Sequence, residues 1–116
     1  RQAHDVRFDH VSRMIAAGVK LTCGSDSAWG VYEMGDFQGE VDAHVEAGLS
    51  PMEAIVSATG DSARSCWIDG DVGTITEDKQ ADLLVVDGDP TQDIGALNNV
   101  VDVFQTGTRV DRGNYV

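Results

Sequence analysis

Basic residues are scarce in this chain: eight lysines and arginines stand against twenty aspartates and glutamates, a net charge of −12. That balance argues against nucleic acid and anionic membranes as partners, because their phosphates would be repelled. Apolar runs are short as well, and none reaches the ~18 residues of a membrane-spanning helix. Cysteine is limited to Cys23 and Cys66. They form neither a CxxC pair nor a disulfide framework, so both thiols are expected free and buried, in keeping with a reducing, cytoplasmic setting. The three histidines, His4, His10 and His44, show neither His-x-His nor His-x-x-x-His spacing and cannot clasp zinc by local geometry. His10 points away from the apolar face of its predicted helix and is expected in solvent. His44 lies near such a face and is expected to be a core histidine with its hydrogen bond satisfied.

The 116 residues suffice for one small domain but fall well short of the ~250 that a closed eight-stranded barrel requires. The chain opens on Arg1 rather than Met, so its true N-terminus is expected upstream, and the absence of a leader carries no information.

Two textures divide the chain. In the first, Phe8, Val11, Met14 and Ile15 recur at helical spacing and Gly18 is a fitting C-cap, which predicts a helix over 3–17. A short apolar run at 19–23 then reads as a buried strand that ends abruptly in Gly24-Ser25-Asp26-Ser27. A strand that delivers one carboxylate to an open loop is how α/β barrels place their chemistry, and Asp26 is therefore the candidate catalytic residue. A turn or helix N-cap is the plain alternative for the same four residues. The glycine-bounded stretch that follows, with Trp29 and Tyr32, reads as a long loop able to line a pocket.

Phe37, Val41 and Val45 predict another helix ending near Gly48. Ser50, Pro51 and Glu53 form a capping box that opens a further one, with Met52, Ile55, Val56 and Thr59 on its inner face. Gly60-Asp61 is expected to break that helix, and 62–67 to form a separate short piece. Beyond Ile68 the texture becomes glycine-punctuated strands: 72–75, then 81–86 stopped by Asp87-Gly88-Asp89-Pro90, then 100–105 returning through Gly107 to Arg109-Val110. So few strands leave unpaired edges, which ordinarily need strands from elsewhere.

The order of these pieces resembles the C-terminal part of the metal-dependent amidohydrolases, in particular the imidazolonepropionase-like and prolidase-like branch. The resemblance is carried by Ala16-Ala17-Gly18-Val19 leading to Gly24-Ser25-Asp26-Ser27, then 46–55 with Ala58-Thr59, then Gly73-Thr74-Ile75, then 79–90, and finally 103–110. It implies an α/β fold: the last strand and closing helices of a TIM-like (β/α)8 barrel over 1–67, followed by part of a composite β-sandwich over 68–116. It further implies a hydrolase of carbon–nitrogen bonds acting on a small-molecule or peptide-like substrate. Asp26 would then serve as metal ligand and proton shuttle toward a divalent metal, expected to be zinc, whose other ligands lie in the missing N-terminal part. Trp29 and Tyr32 would face the substrate. The chain by itself is expected to be inactive, and self-association is left open.

This sequence departs from the family pattern in three places. Ser25 stands where threonine is more usual, Asp78 where a turn glycine is common, and Cys66-Trp67 where a leucine-glycine step is usual. Two other readings compete. Leu83-Leu84-Val85-Val86-Asp87-Gly88-Asp89 resembles the nucleophile strand of haloacid dehalogenase-like, magnesium-dependent phosphotransferases, with Asp87 and Asp89 at the metal. The other is a non-catalytic acidic interaction module.

Overall fold

The computed structural model describes residues 2–27 and 35–114. Helix α1 spans Gln2–Ala16, α2 Gln38–Glu46, α3 Pro51–Val56 and α4 Ser62–Ser65. Three strands follow: β1 over Leu83–Val86, β2 over Val100–Gln105 and β3 over Thr108–Arg109. Short 3₁₀ turns lie at Ile94–Asn98 and Arg112–Asn114.

Three of the four helices end in the same way. Past α1, the amides of Gly18 and Val19 bond back to the carbonyls of Ile15 and Met14 at 2.9 and 3.0 Å. Past α2, Gly48 and Leu49 do the same to Val45 and His44. Past α4, Trp67 and Ile68 bond to Arg64 and Ala63. Each is a Schellman stop, which requires a left-handed residue at its turn. Gly18 and Gly48 supply one at φ 81° and 118°, but at the third stop the residue is Trp67, at φ 62°.

The start of α3 forms as its sequence predicts. Ser50 is extended, its hydroxyl accepts from the Glu53 amide, and the Glu53 carboxylate accepts from the Ser50 amide. The end of α3 does not. Gly60-Asp61 does not break the helix, which instead widens through a π turn at Ser57–Asp61 and runs directly into α4. Side-chain hydroxyls hold the widened backbone: Ser57 donates to the Ala54 carbonyl, Thr59 to Ile55 and Ser62 to Ser57. Such local bonds to carbonyls of the preceding turn compete with regular helical bonding and favour bends and altered register.

The sheet is antiparallel in the order β1-β2-β3. Leu83 pairs with Phe104 and Val86 with Val100, with a bulge between Val85 and Val86. The β2–β3 hairpin turns through Thr106 and Gly107, both at positive φ, the backbone that matches strand twist in a two-residue loop. Its tip is tied down by Thr106 donating its amide to Asp82 Oδ1 at 2.8 Å and Gly107 to the Ala81 carbonyl. Between Arg109 and Asp102 an ion pair closes across the two strands.

Two expected strands are absent. Residues 72–74 form a bend and Ile75 is irregular: Gly73 adopts φ 90°, and the Lys79 ammonium gathers the segment by donating to the Asp69 carbonyl and the Thr74 hydroxyl at 2.6 and 2.7 Å. Ile75 is left 91% exposed. Residues 19–23 run without a ladder, since a strand forms only by pairing with a neighbour and none pairs with them among the described residues. The core is correspondingly small. Among the described residues, Val41, Ala47, Ala54, Ala63 and Ala96 are its buried apolar members, and no large side chain is fully buried.

Candidate functional site

Asp26 ends the 19–27 segment at φ 47°, a left-handed conformation uncommon for a residue with a side chain but tolerated best by asparagine and aspartate. The hydroxyls of Ser25 and Ser27 bond each other on either side of it. The Asp26 residue is exposed. The approach to it is fastened to the far end of the α3–α4 helix. Ser62 Oγ accepts the Cys23 amide at 3.0 Å, and Lys20 Nζ lies 3.6 Å from Asp61 Oδ2. Asp61 also takes Arg64 Nη1 at 2.7 Å. Between the segment and α3 lies a cavity of about 260 Å³ bounded by Ile15, Val19, Leu21, Met52, Val56 and Ser57.

The cysteines correct the expectation of two buried thiols. Cys66 is exposed and Cys23 half-buried, and both are free. Burial, together with the Glu40 carboxylate, pushes the Cys23 thiol up to about 11. It is therefore protonated near neutral pH and unsuited to act as a nucleophile or thiolate ligand. The histidines behave as expected: His10 is exposed, and His44, 8% exposed, bonds through Nδ1 to Ser57 Oγ at 2.8 Å. Since the Ser57 hydroxyl donates to the Ala54 carbonyl, His44 Nδ1 must be the donor in that bond.

Asp89 belongs to a turn. Its Oδ1 accepts from both the amide and the hydroxyl of Thr91 at 3.0 and 2.6 Å, bonds that hold its carboxyl below the usual aspartate range. The strand before it is antiparallel, which gives no support to a phosphotransferase site at Asp87 and Asp89. Trp29 and Tyr32 lie outside the described residues. Among the described residues no three His, Cys, Asp or Glu side chains gather to hold a metal ion. The donor set offered here is a single carboxylate, that of Asp26, which fits as one ligand of a four-ligand site.

Sequence reasoning missed the hydroxyl cluster of Ser57, Thr59 and Ser62. Its signal is the density of small hydroxylic residues around Gly60-Asp61, the pair expected to break the helix.

Known proteins place these features in context. The sequence profile of the Amidohydrolase family matches residues 5–110. A Xaa-Pro dipeptidase solved with methionine in its active site is 36% identical with a TM-score of 0.82, over 90% of this chain and 25% of its own. A putative prolidase from Bifidobacterium longum is 29% identical with a TM-score of 0.83, over 89% of this chain and 26% of its own. Molinate hydrolase is 28% identical with a TM-score of 0.81, over 91% and 26% respectively. No curated protein matches. The chain thus spans about a quarter of the length of these solved relatives. With its profile match extending over most of its residues and prolidase-like proteins among its structural neighbours, this chain belongs to the amidohydrolase family.

Proposed function

We propose that this chain works as part of a metal-dependent hydrolase of carbon–nitrogen bonds, with Asp26 as metal ligand and proton shuttle. The observation that carries the reading is the place of Asp26: in a chain of the amidohydrolase family, its exposed carboxylate stands just past a segment whose backbone is anchored at Cys23. Residues 1–67 are assigned to the closing part of a barrel and 68–116 to part of a β-sandwich. The free edge of β1 and the apolar cleft of about 910 Å³ beside Phe37, Ile55, Ile75 and Leu84 support that division, as surface for further strands to cover.

A bound divalent metal, for which zinc is the candidate, would supply Lewis acidity and a water of lowered pKa. Asp26 would be one residue holding that metal, and its carboxylate would accept a proton and pass it to the leaving nitrogen, serving in turn as base and acid. Because its approach is fixed at Cys23, the carboxylate need not be ordered anew in each turnover. Trp29 and Tyr32, directly after Asp26 in sequence, are assigned to substrate contact. Neighbours that include a Xaa-Pro dipeptidase and a prolidase bound to a proline phosphonate make dipeptides ending in proline the first substrates to try.

The test uses the full-length enzyme containing this chain. Release of proline from methionyl-proline should disappear after dialysis against a chelator and return with added zinc. An undiminished rate in metal-free enzyme would contradict the reading. Trp29→Ala should raise KM several-fold; unchanged kinetics across several dipeptides would remove its pocket role.

A further inference from the structure

We infer that Ser62 is a positioning residue for Asp26, acting through the Cys23 amide; the inference rests on the catalytic reading of Asp26. The Ser62 hydroxyl joins two pieces of backbone far apart in sequence. It donates to the Ser57 carbonyl at 2.7 Å, within the π turn, and accepts the Cys23 amide at 3.0 Å. From the helix side, this bond fixes the backbone three residues before Asp26.

The π turn is what sets Ser62 in reach of both groups. Widening the helix over Ser57–Asp61 lets the Ser62 side chain bond a carbonyl five residues back, which leaves its lone pairs facing the passing segment. Such turns inside helices recur at functional sites. The neighbouring Lys20–Asp61 contact is a weaker tether, since Lys20 is largely exposed at 3.6 Å and such pairs contribute little. His44 supports the same turn from the other side by donating to Ser57.

In Ser62→Ala the Cys23 amide loses its side-chain acceptor and the Ser57 carbonyl its side-chain donor, and the Asp26 loop is released from one fixed geometry. A misplacement of about 1 Å at a reacting group is enough for roughly a hundredfold loss of rate. In the full-length enzyme, Ser62→Ala should lower kcat by about 10- to 100-fold with KM within about twofold of the parent. Amide hydrogen exchange across 19–27 should rise while that of β1 and β2 stays unchanged. Ser62→Thr, which keeps the hydroxyl, should restore both. Parental kcat and unchanged exchange in Ser62→Ala, or a kcat loss that Ser62→Thr does not reverse, would overturn the inference. Asp26→Asn separates the two levels. If it retains activity while Ser62→Ala still loosens 19–27, the anchor stands and the catalytic reading fails. If it is inactive while Ser62→Ala changes neither kcat nor exchange, the anchor fails and the catalytic reading stands.

Discussion

Trp67 sits at φ 62° at the end of α4 with 91% of its surface exposed, so its backbone is held in a glycine conformation while its ring packs against almost nothing. Left-handed geometry disfavours a side chain by roughly 1–2 kcal/mol, and glycine's extra freedom in the unfolded chain returns part of that, roughly 0.5–1 kcal/mol. In the full-length enzyme, Trp67→Gly should therefore be stabilising by about 0.5–1 kcal/mol in denaturant titrations; destabilisation would mean that the ring has a partner. Asp78 keeps φ 68° at the other position where the family favours glycine, so both departures change the residue and preserve the turn. Gly73 is the opposite case. At φ 90°, a Cβ there would lie 2.5 Å from Ala63 Cβ and 3.1 Å from the Thr59 carbonyl. Overpacking and strain together predict that Gly73→Ala destabilises by about 2–4 kcal/mol, read as a lower unfolding midpoint. Asp26 was legible as a candidate because a carboxylate after an apolar run is a local pattern. Its left-handed backbone was not, since the segment before it is held by Ser62, 39 residues from Cys23 in sequence.

Elements whose signals are local were readable in advance, and the capping box of α3 shows why. Every bond in it joins residues three apart in sequence: the Ser50 amide and hydroxyl donate to Glu53 Oε2 at 2.8 and 2.6 Å, and the Glu53 amide donates back. Ser50→Ala should lower stability by about 1 kcal/mol. The bonds from Ser50 hold the Glu53 carboxyl below its ordinary value. A group whose pKa is lowered on folding contributes stability that is complete above its unfolded pKa and lost as pH falls through the folded one. The gap in thermal midpoint between parent and Ser50→Ala should accordingly narrow in acid; a gap that widened would contradict the assigned bonds. The hairpin was legible for the same reason, its turn residues Thr106 and Gly107 being adjacent. By contrast, the strand expected over 19–23 and the helix break expected at Gly60 turned on distant partners. The first needs a neighbouring strand, and none pairs with it among the described residues; the second is overridden by the hydroxyls of Ser57, Thr59 and Ser62.

At the scale of the molecule, the chain exposes 8582 Å², against about 6,100 Å² for a compact monomer of its mass. Its radius of gyration of 15.2 Å exceeds the ~13 Å expected for a compact domain of this length. Its core is made mostly of alanines, and Leu84, Val85 and Val101 of the sheet are exposed. Expressed by itself, the chain should bind a hydrophobic dye, unfold without a sharp transition and bind zinc no better than an acidic control peptide. Cooperative unfolding with tight one-to-one zinc binding would contradict this. The central claim is the chemistry assigned to Asp26, and its most direct test is the turnover of full-length Asp26→Asn at measured metal content. The substitution keeps size and shape while removing charge and basicity, and general acid–base assistance is typically worth about 10²–10⁴ in rate. The account predicts a fall in kcat of at least that order in a folded enzyme that retains most of its metal, with Asp87→Asn near the parental rate. A folded, metal-loaded Asp26→Asn enzyme with near-parental kcat would contradict it.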